Sequence, residues 1–93
     1  MFFITTIRVC EDKIDDNRTV GYYKKYDKAL SAVVYNICDI FEDGYYQYAL
    51  ISRLSEGLYP TPTFKNYFKY TNGYVEEIAQ PEEFNKNMPY IIG

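Results

Sequence analysis

The side chains that could do chemistry in this chain are of an uneven kind. Of its 93 residues, 12 are Tyr and 6 are Phe, while Trp and His are absent. Without His the commonest general base is missing. Cys10 and Cys38 are the two thiols, far apart and outside any CxxC pair. Two Cys and no His fall short of the four ligands of a structural zinc, so no metal is expected. The pair reads as two small core residues, as unreactive Cys usually are. Carboxylates occur in pairs at Asp15-Asp16, Glu42-Asp43, Glu76-Glu77 and Glu82-Glu83. Each pair falls in an expected loop, element end or exposed strand, and reads as a solvated face. Asp12, Asp15, Asp16 and Asn17 lack the spacing of a calcium loop. GxSxG, P-loop and GxGxxG patterns are absent. The inventory predicts no enzyme, no catalytic residue and no cofactor.

The aromatic inventory points to recognition instead. Tyr offers large apolar area at low entropic cost and keeps a polar tip, which suits binding surfaces. Tyr22-Tyr23, Tyr45-Tyr46 and Tyr67-Phe68 would each place one ring on either face of a strand. One ring of each pair can enter a core, and its neighbour then faces solvent or a partner. Tyr67 and Lys69 share a face by the two-residue period, and Glu76 comes beside Lys69 across a hairpin. Tyr22 and Tyr45 would extend that patch from the rims of other strands. Arg18, Lys24, Lys65 and Lys69 supply cations near exposed Tyr, a combination able to stack a base and pair a phosphate. The expected binding set is therefore Arg18, Tyr22, Tyr45, Tyr67, Lys69 and Glu76.

Positioning such a face requires a sheet. Residues 2–9 have β composition. Glu11 to Asn17 reads as a polar loop, and residues 18–24 as a second strand that pairs with the first. Asp27, a plausible N-cap, opens a helix over 28–42, where Leu30, Val33, Val34, Ile37 and Phe41 follow the spacing of one buried stripe. Gly44 can end it. Tyr45 to Leu54 forms a third strand, and the Gly- and Pro-rich 55–62 stretch a connector. Asn72-Gly73 is the strongest hairpin signal in the chain, because a type I′ turn needs positive φ at both central residues. It pairs 63–70 with 74–79 and sets Thr71 opposite Tyr74, Tyr70 opposite Val75 and Lys69 opposite Glu76. Pro81 to Phe84 suits a short helical turn, and Met88 to Ile92 a last strand. The fold class is α+β: a mainly antiparallel, twisted sheet with one principal helix packed on one face. The expected core is Phe2 or Phe3 with Ile4, Ile7, Val20, Leu30, Val33, Val34, Ile37, Phe41, Leu50 and Leu54.

Composition sets the outer bounds. Hydrophobic residues make up 47% and charged residues 25%, which is globular composition, and the length suits one domain over 1–93. A chain this short buries only about 60–65% of its unfolded surface, so it must pack well or form a homo-oligomer. The net charge of −3 argues against gripping duplex nucleic acid by its phosphates and leaves a basic protein surface as a partner. Met1 to Val9 is too short and polar for a signal peptide. No apolar run approaches a membrane span. A cytoplasmic location in a bacterial cell is expected.

The blocks Arg18-Thr19-Val20-Gly21-Tyr22-Tyr23, Asn36 to Tyr46, Glu56-Gly57-Leu58-Tyr59-Pro60 and Tyr67-Phe68-Lys69-Tyr70 resemble short Tyr-rich proteins scattered through clostridial and other Firmicute genomes and their phages. The likeness covers nearly the whole chain. It implies a setting, since small proteins of mobile elements often block host defences, and it supplies no catalytic residues. Two readings follow. One is an inhibitor of a host defence nuclease, anti-CRISPR-like in action, with Asp and Glu standing in phosphate positions of a basic channel. The other is a sequestering protein for a small nucleotide immune signal, with Tyr stacking on the base and Arg18 or Lys69 on the phosphate.

Overall fold

Phe, Ile, Thr and Val are restricted at their β-carbons or carry bulky rings, and both features favour extended chain. Residues rich in them open the structure as strand β1 (Phe2–Cys10). The structure is a computed structural model that describes residues 1–54 and 64–81. The connector expected over 55–62, the helical turn beyond Pro81 and the strand at 88–92 lie outside the described residues. Four further strands follow: β2 (Lys13–Tyr23), β3 (Tyr48–Arg53), β4 (Phe64–Thr71) and β5 (Tyr74–Ile78). Among the described residues they form one sheet in the order β2-β1-β3-β4-β5, with every neighbouring pair antiparallel. Helix α1 (Tyr26–Val34) packs on one face. The expected α+β architecture is present. Among the described residues no helix is long and apolar enough to cross a membrane.

The polar stretch expected to be a loop is strand. β2 begins at Lys13, and its link to β1 is the two-residue turn Glu11-Asp12, with φ of 53° and 62°. Both central residues thus adopt the left-handed geometry that matches the twist of a tight hairpin. Glu-Asp is a poor composition for such a turn, which is why the polar run concealed it. Two bulges interrupt the pairing. Val20 is inserted where β1 passes from Ile4 to Thr5, and Asp15 where it passes from Arg8 to Val9. Bulges of this kind bend an edge strand and blunt it against pairing with other chains.

The helix is shorter than 28–42, and its buried face is rotated. It starts after Lys25, whose side chain makes no cap bond, with Asp27 inside the first turn, and it ends at Val34. Asn36 then takes the left-handed conformation (φ 48°, ψ 48°), with its N–H bonded to the Val33 carbonyl. Asn tolerates that geometry better than most side chains, so it closes the helix as Gly often does. Two single turns of 3-10 helix follow, Ile37–Asp39 and Glu42–Gly44, which contain further positive-φ residues at Cys38, Asp39, Glu42 and Asp43. The buried residues of α1 are Ala29, Ala32 and Val33, while Val34 is 41% exposed and Ile37 47%. Two small Ala at i and i+3 let the helix axis approach the sheet closely, and that selects their face over the bulkier stripe. Phe41 is buried as expected, but the folded-back turns deliver it and not the helix.

The helix-side cluster gathers Ile4, Ala29, Ala32, Val33, Phe41, Tyr46, Ala49, Ile51 and Phe68, with Phe2, Val20 and Leu30 partly buried against it. A second cluster on the opposite face joins Ile7, Leu50 and Tyr67, flanked by Val9, Ile14, Tyr48 and Ile78. Leu54 is also buried. Cys10 and Cys38 are both exposed free thiols, which corrects their assignment to the core. Cys10 ends β1 at the hairpin tip, and Cys38 sits in the strained turn beyond the helix.

Candidate binding site at the acidic end of the sheet

One end of the sheet collects the β1-β2 hairpin tip, the turns over 36–44 and the start of β3. Arg8, near the end of β1, lies opposite Asp16 of β2. Its Nε donates to Asp15 Oδ2 at 3.3 Å, and its NH1 donates to the Tyr45 carbonyl at 3.0 Å. The guanidinium carbon also stands 4.5 Å from the centre of the Tyr45 ring, a cation–π contact. The hydroxyls of Tyr45 and Tyr46 both donate to Asp16 Oδ2, at 3.1 and 3.4 Å. The two rings meet edge to face at 4.9 Å. Gln47 closes the group by accepting from the Val9 N–H at 2.8 Å and donating to the Val9 carbonyl at 3.1 Å. The hairpin is thereby latched to the segment entering β3.

This network holds neutral phenols. The hydrogen bond to Asp16 raises the Tyr45 hydroxyl above its ordinary value, and burial does the same for Tyr46. The arrangement orients both hydroxyls on one carboxylate oxygen. Among the described residues no three His, Cys, Asp or Glu gather as metal ligands.

Beside the latch lies a shallow cleft of about 390 Å³, lined by Arg18, Thr19 and Val20 of β2 and by Cys38, Asp39, Ile40 and Glu42. Arg18 NH1 and Glu42 Oε2 stand 3.9 Å apart across it, both solvated, so their attraction is weak. A second depression of about 430 Å³ lies between Asp43-Gly44 and the β4-β5 turn Tyr70 to Gly73. The wall shared by both is the segment 36–44, fixed by its own side chains. Asn36 Oδ1 accepts from the Phe41 N–H at 3.1 Å, and Asp39 Oδ1 accepts from the Asp43 N–H at 3.0 Å. Asn and Asp commonly organise turns in this way. The positive φ of Cys38 and Glu42 has no such benefit and costs about 1–2 kcal/mol each.

The six residues expected to bind do not form one patch. Tyr22, Tyr67, Lys69 and Glu76 project from the helix-free face, and Arg18 and Tyr45 from the helix side. Lys69 and Glu76 are directly opposed, as the Asn72-Gly73 turn requires. Tyr22 lies on edge strand β2, with β1 and β3 between it and the strand of Lys69. Tyr67 is 5% exposed between Leu50 and Ile78, so it is a core residue and not an open anchor. Burial also raises its hydroxyl above the ordinary value. Among the described residues the exposed tyrosines are Tyr22, Tyr23, Tyr35, Tyr45 and Tyr74, which do not gather in one place. Tyr67 and Arg18 project from opposite faces of the sheet and so do not share a surface.

Sequence reasoning missed Arg8, Asp16, Tyr46 and Gln47. Asp16 falls in the stretch expected to be a solvated loop, yet it is partly buried and accepts from two phenols. One signal was present: Arg8 continues the alternation Ile4, Thr6, Arg8 on β1, and a cation at the inner face of a strand needs an acidic partner. Comparison of the chain with models of protein families, with curated protein sequences and with solved structures finds no match in any of the three.

Proposed function

We propose that this chain is a non-catalytic binding protein whose acidic end docks on a basic, nucleic-acid-binding channel of another protein. The observation that carries this reading is the charge of that end. Positions 8–18 and 36–44 hold seven carboxylates against three cations. All of the carboxylates but Asp16 are exposed, and five of them, Glu11, Asp12, Asp39, Glu42 and Asp43, stand on turns with defined backbone geometry. Rigid, closely spaced negative groups reproduce what a basic channel recognises in a phosphate chain. A host defence nuclease is the partner class that fits both this chemistry and the likeness to phage proteins. The action would be anti-CRISPR-like inhibition, by occupying the channel.

The test uses the whole chain as bait in a clostridial lysate, beside a variant carrying Glu11→Gln, Glu42→Gln and Asp43→Asn. Within the described residues none of these three side chains makes a hydrogen bond. Wild type should capture a nucleic-acid-cleaving protein and inhibit its cleavage, and raising salt to about 0.5 M should release it. The variant should lose capture. Equal capture by the variant, or capture that survives high salt, would remove the acidic end as the contact surface.

A further inference from the structure

We infer that the opposite end of the sheet carries a second site, for a nucleotidyl group, with phosphate held by Lys24, Lys25 and Lys28 and a base stacked on Tyr23. The chain is polarised. Where β2 leaves the sheet, the sequence runs Tyr22-Tyr23-Lys24-Lys25, and Lys28 lies one helical turn further on. Lys25 is the extended residue that caps the start of α1, Lys24 precedes it, and Lys28 lies in the first turn, so the three cations gather around the N-terminal end of the helix. Across the sheet, register places Tyr23, Phe2 and Arg53 in one row. The Arg53 guanidinium lies 5.9 Å from the centre of the Phe2 ring. Lys24, Lys25, Lys28 and Arg53 are all exposed, and among the described residues none of them takes part in an ion pair.

Cations without ion-pair partners beside exposed rings form the pattern that holds single-stranded nucleotides. The cations track phosphates and the rings stack on bases, whatever the sequence. Tyr23 offers its ring on the helix side, and Tyr22 offers another on the reverse face, packed 5.5 Å from Phe3. An acidic protein segment would use the lysines, but a nucleotide uses both components at once, its phosphate on the cations and its base on the ring. The net charge of −3 is no obstacle, because local potential governs binding: among the described residues the carboxylate excess sits at the far end, and Asp27 is the one carboxylate within the lysine run. A duplex hides its base faces, so a single strand or a free nucleotide is the form that fits.

The full chain is titrated into a 5′-labelled oligothymidylate about twelve nucleotides long and read by fluorescence anisotropy, with a duplex of the same length, ATP and polyglutamate as competitors. The single strand should bind more tightly than the duplex, with affinity that falls steeply with salt. Lys24→Ala/Lys25→Ala/Lys28→Ala should weaken binding about tenfold or more and flatten the salt dependence. Tyr23→Ala should weaken it about fivefold or more. ATP competing at concentrations similar to the oligonucleotide assigns the site to free nucleotides, and ATP failing to compete assigns it to single strands. The acidic-end variant described above should leave affinity within about twofold, which separates this site from the protein contact. Melting curves check folding, and should the triple variant melt early, Lys25→Gln alone should still weaken binding about threefold. The inference is overturned if neither oligonucleotide nor ATP binds, if polyglutamate competes as well as either, or if the lysine variants bind like wild type.

Discussion

The Tyr46 hydroxyl donates to Asp16 Oδ2 at 3.4 Å across 30 positions of sequence, joining the edge strand to the residue that leads into β3. The Tyr46 ring is 4% exposed, so its polar tip has few alternatives to this carboxylate. Tyr45 shares the same oxygen. Asp16→Ala removes the shared acceptor, and both hydrogen bonds with it, and should cost about 1–3 kcal/mol in denaturant unfolding. Asp16→Asn, which keeps one acceptor oxygen, should cost less.

The same contact has an alkaline signature. Tyr45 and Tyr46 are raised above their ordinary value of 10.0, the first chiefly by the Asp16 hydrogen bond and the second chiefly by burial. Tyr67 is raised by burial. Below about pH 10 these phenols are neutral in both folded and unfolded chains, and their contribution to stability is complete. Above it the unfolded chain loses protons first, so the melting temperature should fall as pH rises through the folded values. In Asp16→Ala the Tyr45 titration should move back toward the ordinary range, as read by tyrosinate absorbance. An unchanged absorbance titration would show that Asp16 does not govern this phenol.

Neighbouring valines of α1 should respond oppositely to the same change. Val33 is 0% exposed, and Val34 is 41% exposed. Val33→Asp buries an unpaired charge against the sheet, which costs several kcal/mol and should abolish the cooperative melt. Val34→Asp should stay folded, with a loss of about 1 kcal/mol or less. The opposite ranking would restore the stripe that the sequence pattern suggests.

Tyr67→Ala should lower stability by about 3–5 kcal/mol, since it empties space between Leu50 and Ile78. Tyr74→Ala, at a position 77% exposed, should change it by about 0.5 kcal/mol or less. Guanidinium unfolding of the two variants measures both. A tolerated Tyr67→Ala would return that ring to the list of binding residues.

Replacing Glu11-Asp12 by Asn-Gly should stabilise the β1-β2 hairpin by about 0.5–1 kcal/mol, because both positions have positive φ. A drop in melting temperature would mean that the acidic side chains themselves hold the turn.

What the sequence determined by itself was local. Asn72-Gly73 dictated its turn, with φ of 49° and 87°, and every pair of the β4-β5 hairpin beside it. The β-branched and aromatic run at the N-terminus specified β1, and the periodic segment near residue 30 specified a helix on one face of an antiparallel sheet. Three matters were settled only by the tertiary structure. The helix buries Ala29 and Ala32 and leaves Ile37 outside, because close approach to the sheet favours small side chains, whereas pattern reading weights large ones. Asp16 becomes the acceptor for two phenols only when β2 and the turn before β3 meet. The aromatic and charged residues of the expected site fall on opposite faces, because sheet order and bulges decide which face a side chain takes, and a one-residue insertion reverses every position beyond it.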